Sequence, residues 1–73
     1  MSPDKLAYMA NQIGRFFAHQ PHDAAVAAIE SHLRRFWDPR MRADIVAHPD
    51  GETVRLDPNV REAVARLTEK QAS

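Results

Sequence analysis

The chain has 73 residues with ten Lys and Arg against ten Asp and Glu, so it has room for one small domain and no whole-molecule field to draw it to nucleic acid or an anionic membrane. Zero cysteines exclude a disulfide framework, thiolate zinc sites, iron–sulfur ligation and a cysteine nucleophile. Twelve of the apolar residues are alanines, leaving 20 larger apolar side chains with Met1 included, and so thin a core predicts marginal stability that association with a partner would raise.

Ser2-Pro3, Asp38-Pro39 and Asp57-Pro58 punctuate the chain in the same way. Each places an oxygen-bearing side chain at an N-cap and a proline at the first helical position, where the missing N–H costs nothing. After the first, Leu6, Met9, Ile13 and Phe16 recur at spacings of three, four and three, widened by Ala10 and Phe17; this predicts a helix over 3–19. Pro21 and Asp23 mark a turn. Val26, Ile29, Leu33 and Phe36 then repeat the pattern on an alanine-rich background, predicting a second helix over 22–37. The short connection makes an antiparallel αα-hairpin of these two the natural packing.

Pro39 disfavours helical geometry at Asp38, so the second helix should stop or bend beside Trp37. A third helix over 39–48 offers Met41, Ile45 and Val46, and His48-Pro49-Asp50-Gly51 ends it. Residues 52–57 read as irregular, because a lone short strand over Thr53 to Leu56 has nothing to pair with. A fourth helix over 58–70 carries Val60, Val64 and Leu67, and the tail from Glu69 to Ser73 should fray. The expected architecture is a small all-α single domain of three to four helices. No apolar run approaches the ~20 residues of a membrane span, and Met1-Ser2-Pro3-Asp4 lacks the features of a signal peptide, so a cytoplasmic location without membrane attachment is expected.

Catalysis needs converging groups of tuned pKa, and the inventory is poor. Ser2, Ser31 and Ser73 read as a cap, a helix residue and a terminal residue. His19 and His22 are three apart, but Pro21 interrupts the helix that would align them as ligands, and they read as polar residues of a surface turn. His32 reads as a helix-surface residue beside Leu33, and His48 as a cation near a helix C-terminus. The expectation is a chain with no catalytic site, cofactor or metal of its own.

Two segments are more informative. Arg34-Arg35-Phe36-Trp37-Asp38-Pro39-Arg40-Met41-Arg42 sets four arginines and one aspartate among two aromatics and a methionine. Guanidinium forks suit carboxylate or phosphate, and Trp and Arg are favoured interface anchors. The alternative is structural: Arg34 and Arg35 complement a helix C-terminus while Phe36, Trp37 and Met41 close the core. In the second segment, Asn11 to Phe17, Gly14 in a helix interior costs about 1 kcal/mol relative to Ala, which points to close approach of the second helix or a partner chain. Asn11, Gln12 and Arg15 would line the adjacent polar edge.

With these segments, the chain resembles the delta subunit of the NAD-dependent, molybdenum-containing formate dehydrogenases. The likeness rests on Lys5 to Phe17 and His32 to Arg42, and continues through Leu56-Asp57-Pro58 and Val60 to Val64. It implies a non-catalytic accessory subunit of a cytoplasmic complex that oxidises formate and reduces NAD, supporting molybdenum-cofactor insertion and stability. The resemblance also implies a large catalytic (alpha) subunit as partner, and bis-molybdopterin guanine dinucleotide, iron–sulfur clusters and flavin held by the partner complex. The expected partner-binding set is Asn11, Gln12, Arg15, Arg34, Arg35, Phe36, Trp37, Arg40 and Arg42, with the arginines meeting carboxylates or the phosphates of a pterin dinucleotide during loading. The rival readings are a self-associating helical domain, homo-oligomeric when isolated, and a nucleic-acid-binding one. The second conflicts with Asp44, Asp50 and Glu52 beside the third helix, which break any basic face.

Overall fold

The proline-led helix starts form as the sequence predicts. Ser2 Oγ accepts from the Lys5 N–H at 3.2 Å and Asp38 Oδ1 from the Met41 N–H at 2.8 Å, while the Asp57 carbonyl accepts from the Arg61 N–H at 2.8 Å. The computed structural model describes residues 2–72, with side chains through Thr68; the tail expected to fray from Glu69 is helical as far as Ala72, and Ser73 lies outside the described residues. In chain order the elements are α1 (Pro3–Phe16), α2 (His22–Phe36), α3 (Pro39–Ala47) and α4 (Pro58–Ala72). Among the described residues there is no strand, and the molecule is a small all-α domain.

Helix α1 stops three residues before the expected end. Its last turn tightens into i−3 hydrogen bonds, Phe17 N–H to Gly14 and Ala18 N–H to Arg15, followed by Gln20 N–H to Phe17, and Pro21 keeps Gln20 out of helical geometry. Helix α2 ends at Phe36, where Trp37 turns extended at φ −90°, ψ 139° ahead of the Asp38-Pro39 start. The expected stop beside Trp37 therefore occurs, one residue early.

The core comprises Leu6, Ala7 and Ala10 of α1, Val26, Ile29 and Leu33 of α2, Ile45 of α3, and Val60, Ala63, Val64 and Leu67 of α4, closed by Trp37 and Leu56. Helix α2 has its most extensive packing with α4, and α1 touches all three other helices. The element approaching Gly14 most closely is therefore neither a partner nor primarily α2. A Cβ there would overlap Val60 Cγ2 of α4, with Ile29 Cδ1 of α2 at an ordinary 3.8 Å. Val60 is fully buried, and its short β-branched side chain cannot swing aside without leaving its preferred rotamer. Gly14→Ala should therefore lower the thermal midpoint although alanine favours helix by about 1 kcal/mol, because overpacking a filled site costs about 1–3 kcal/mol; a raised midpoint would show that the α1–α4 contact is slack.

The irregular connection from α3 to α4 is held by three side chains from outside the repeating pattern. Asp4 accepts from Thr53 N–H at 3.0 Å, Thr53 Oγ1 at 2.9 Å and Val54 N–H at 3.2 Å. Asp50 accepts from Leu56 N–H at 2.9 Å and from Arg61 at 2.6 Å. Asn11 donates through Nδ2 to the Arg55 carbonyl at 2.8 Å and accepts from Asp57 N–H at 2.9 Å. These bonds satisfy backbone groups that no helix or sheet would otherwise occupy. Gly51 belongs to the same clasp: its N–H bonds the Val54 carbonyl at 2.8 Å, and any Cβ would lie 2.7 Å from Asp4 Cα.

The clasp titrates. The Thr53 amide hydrogen bond, chief among several, holds the Asp4 carboxyl below its ordinary value, and the Leu56 amide and Arg61 do the same for Asp50. Carboxyls with a folded-state pKa depressed below the unfolded one stabilise above the unfolded value and lose that contribution as pH falls through the folded value. The thermal midpoint should thus decline on acidification below about pH 4. Asp4→Asn should lower the midpoint at neutral pH and flatten that acid limb. An equally steep limb in the variant would remove Asp4 from this role.

Candidate docking surface

The apolar stripes of α1 and α2 do not end where the core ends. Phe16, the last member of the first stripe, is 74% exposed and Phe36, the last of the second, 70% exposed; of the two readings of the arginine corner, the one in which Phe36 closes the core does not hold, and Phe16 lies outside the core although its stripe is apolar. Between them lies an open groove of about 430 Å³ lined by Met9, Gln12, Ile13, Phe16, Phe17, His32 and Trp37. A smaller one of about 240 Å³ adjoins it, sharing Phe17 and His32 and extending to Arg35 and Phe36.

The rings form a continuous run across the two helices. Phe16 and Phe17 meet edge to face with centroids 5.0 Å apart, Phe17 lies 6.4 Å from His32, and His32 lies 4.7 Å from Phe36. The Arg35 guanidinium stands 5.9 Å from the Phe36 ring centroid, a cation–π arrangement. Tyr8, also exposed, accepts from Gln12 Nε2 at 2.9 Å.

The expected partner-binding residues separate into two groups. Gln12, Arg15, Arg35, Phe36 and Arg40 are exposed, and Arg35 and Arg40 make no ion pair among the described residues. The others are used within the chain. Asn11 is buried in the clasp described above, and Trp37, 6% exposed, packs in the core while also lining the groove. Arg34 donates to Glu30 at 3.0 Å and to the Arg66 carbonyl at 3.2 Å, tying α2 to α4. Arg42 donates to the carbonyls of Arg34, at 3.2 Å, and Trp37, satisfying the acceptors that the end of α2 leaves open. Reversing charge at Arg42 would therefore remove a cap as well as a surface cation, whereas Arg35 and Arg40 can be reversed without breaking a hydrogen bond or ion pair among the described residues.

His22 does not join His19. It pairs with Glu62 of α4 at 3.3 Å, and that hydrogen bond raises its pKa. His22, Asp23 and Glu62 bring donor atoms within 4.8 Å of one another, all three exposed; this is an ion pair between helix surfaces. Tyr8, Met9, Ile13, Phe16, Phe17 and His32 were missing from the expected surface. For Met9, Ile13, Phe16 and Phe17 the signal is the stripe continuing to the last turn of α1, in a chain with few large side chains left to cover it; Tyr8 lies off that stripe and His32 belongs to α2.

These features define a small all-α domain with an open, aromatic groove that has Arg35 at its edge. The chain belongs to the family of the NADH-dependent formate dehydrogenase delta subunit FdsD, whose family model matches residues 5–64, covering the groove, the arginine corner and all of the clasp but Asp4. No curated protein and no solved structure matches it. No helix among the described residues is long and apolar enough to cross a membrane.

Proposed function

We propose that this delta subunit is a non-catalytic accessory component that docks on the large catalytic subunit of a cytoplasmic formate dehydrogenase, supporting molybdenum-cofactor insertion and the stability of the complex. The family match over residues 5–64 carries the reading. The absence of cysteine supports it, since a chain without thiolates supplies no cluster ligands; the bis-molybdopterin guanine dinucleotide, iron–sulfur clusters and flavin belong to the partner complex. Docking uses the exposed part of the expected set, Gln12, Arg15, Arg35, Phe36 and Arg40.

The test is a strain lacking this chain. Formate dehydrogenase purified from it should contain less molybdenum and reduce NAD with formate more slowly than enzyme from a complemented strain. The isolated chain should oxidise no formate. Fully loaded, fully active and equally stable enzyme without the chain would overturn the reading, as would stoichiometric molybdenum, iron or zinc in the purified chain.

A further inference from the structure

We propose that the groove between the C-terminal halves of α1 and α2 seats an amphipathic helix of the large catalytic subunit, one with large apolar side chains on its inner face and carboxylates along its flanks. This rests on the reading that the chain docks on that subunit, and adds which face is used and what it takes.

Four observations carry it. First, the two adjoining grooves, about 430 and 240 Å³, are bounded by Phe16 and Phe36, the most exposed large apolar side chains among the described residues. An apolar surface with aromatic anchors at its ends has the composition of an interface centre. Second, the lining is mostly apolar and aromatic, with Gln12, Ser31, His32 and Arg35 as its polar members, and Gln12 is already bonded to Tyr8.

Third, no sheet edge exists among the described residues, so strand addition is unavailable. Recognition between two helices takes the form of a helix laid in a groove, anchored by side chains at i, i+3 or i+4, and i+7.

Fourth, the charges are of one sign. No carboxylate lines either groove, and Arg35 is the permanent charge that does. Lys5 lies on the same helical stripe as Met9, Gln12 and Phe16 by the three-four period, and Arg40 is exposed just beyond Trp37. Glu30 is committed to Arg34 and Arg66, and Asp38 to the start of α3; Asp44, exposed one turn beyond Arg40 on α3, lines neither groove. A second copy of this chain would bring the same cations against one another across a two-fold axis. An acidic flank complements them.

The experiment titrates the full chain onto formate dehydrogenase purified without it. Phe16→Ala/Phe36→Ala should weaken binding about tenfold or more while preserving helicity, since both side chains are largely in solvent. Arg35→Glu should weaken it several-fold, with the loss shrinking at high salt. Arg55→Glu, in the loop held by Asn11, should bind as the unsubstituted chain does. Hydrogen exchange on the large subunit should show protection of one helix bearing carboxylates. If the unsubstituted chain binds and the aromatic and Arg35 variants bind equally well, docking uses another face and the groove assignment falls while the accessory role stands. If the unsubstituted chain does not bind, the accessory reading falls and this inference with it. A dimer in sedimentation that Phe16→Ala/Phe36→Ala abolishes would give the groove to a second copy and overturn the assignment. Should the double aromatic variant lose helicity, the Arg35→Glu titration decides.

Discussion

Trp37→Ala is expected to lower the unfolding free energy by about 3–5 kcal/mol, enough to unfold most of a domain this small at 25 °C. The ring is 6% exposed and joins the core cluster that includes Leu33 and Ile45. Its backbone is equally committed: the N–H bonds the Leu33 carbonyl at 3.1 Å, and the carbonyl accepts from Arg42. Truncation would leave an indole-sized void at the point where α2 hands over to α3, in a core too thin to collapse around it. Urea unfolding followed by circular dichroism measures this directly. A variant with the original midpoint would mean that the ring is dispensable to the core. Loss of partner binding in this variant would report the fold, because the indole is also a wall of the groove.

Asn11→Ala is expected to lower stability by about 2–3 kcal/mol, because it leaves two part-buried backbone groups without partners, the Arg55 carbonyl and the Asp57 N–H. Asn11→Asp keeps an acceptor for Asp57 but sets a carboxylate against the Arg55 carbonyl, and should also destabilise. The Asp57 amide should lose its protection from hydrogen exchange in the alanine variant before the helices do, since the clasp opens locally. An unchanged melting curve with reduced partner binding would return Asn11 to the interface, where its sequence neighbours Gln12 and Arg15 suggested it belonged.

The reassignment of Asn11 shows where sequence reasoning stops. An amide in a helix beside an arginine reads as surface, and nothing local announces that residues 44 and 46 positions further on will bring it a carbonyl and an amide. The same holds for Asp4 and Asp50, whose partners lie across the α3–α4 connection. The aromatic groove was half legible: Phe36 was identified with the arginine corner, but Phe16 and Phe17 were assigned to the core stripe. Of the corner arginines, Arg35 and Arg40 stand outward as expected of contact residues. Arg34 and Arg42 turn inward because α4 and the end of α2 offer carboxylate and carbonyl acceptors within reach.

Helix number, starts and approximate lengths, and the family, were determined by the sequence alone, because caps, prolines and three-four spacing act over a few residues and do not depend on what packs against them. Tertiary structure decided how far along each apolar stripe the core extends, which helix closes on Gly14 and which arginines remain free. Periodicity defines the face of a helix that is apolar but not the point along it where the neighbouring helix runs out. Here the neighbours end before Phe16 and Phe36, and the surplus of two otherwise ordinary core stripes becomes a surface.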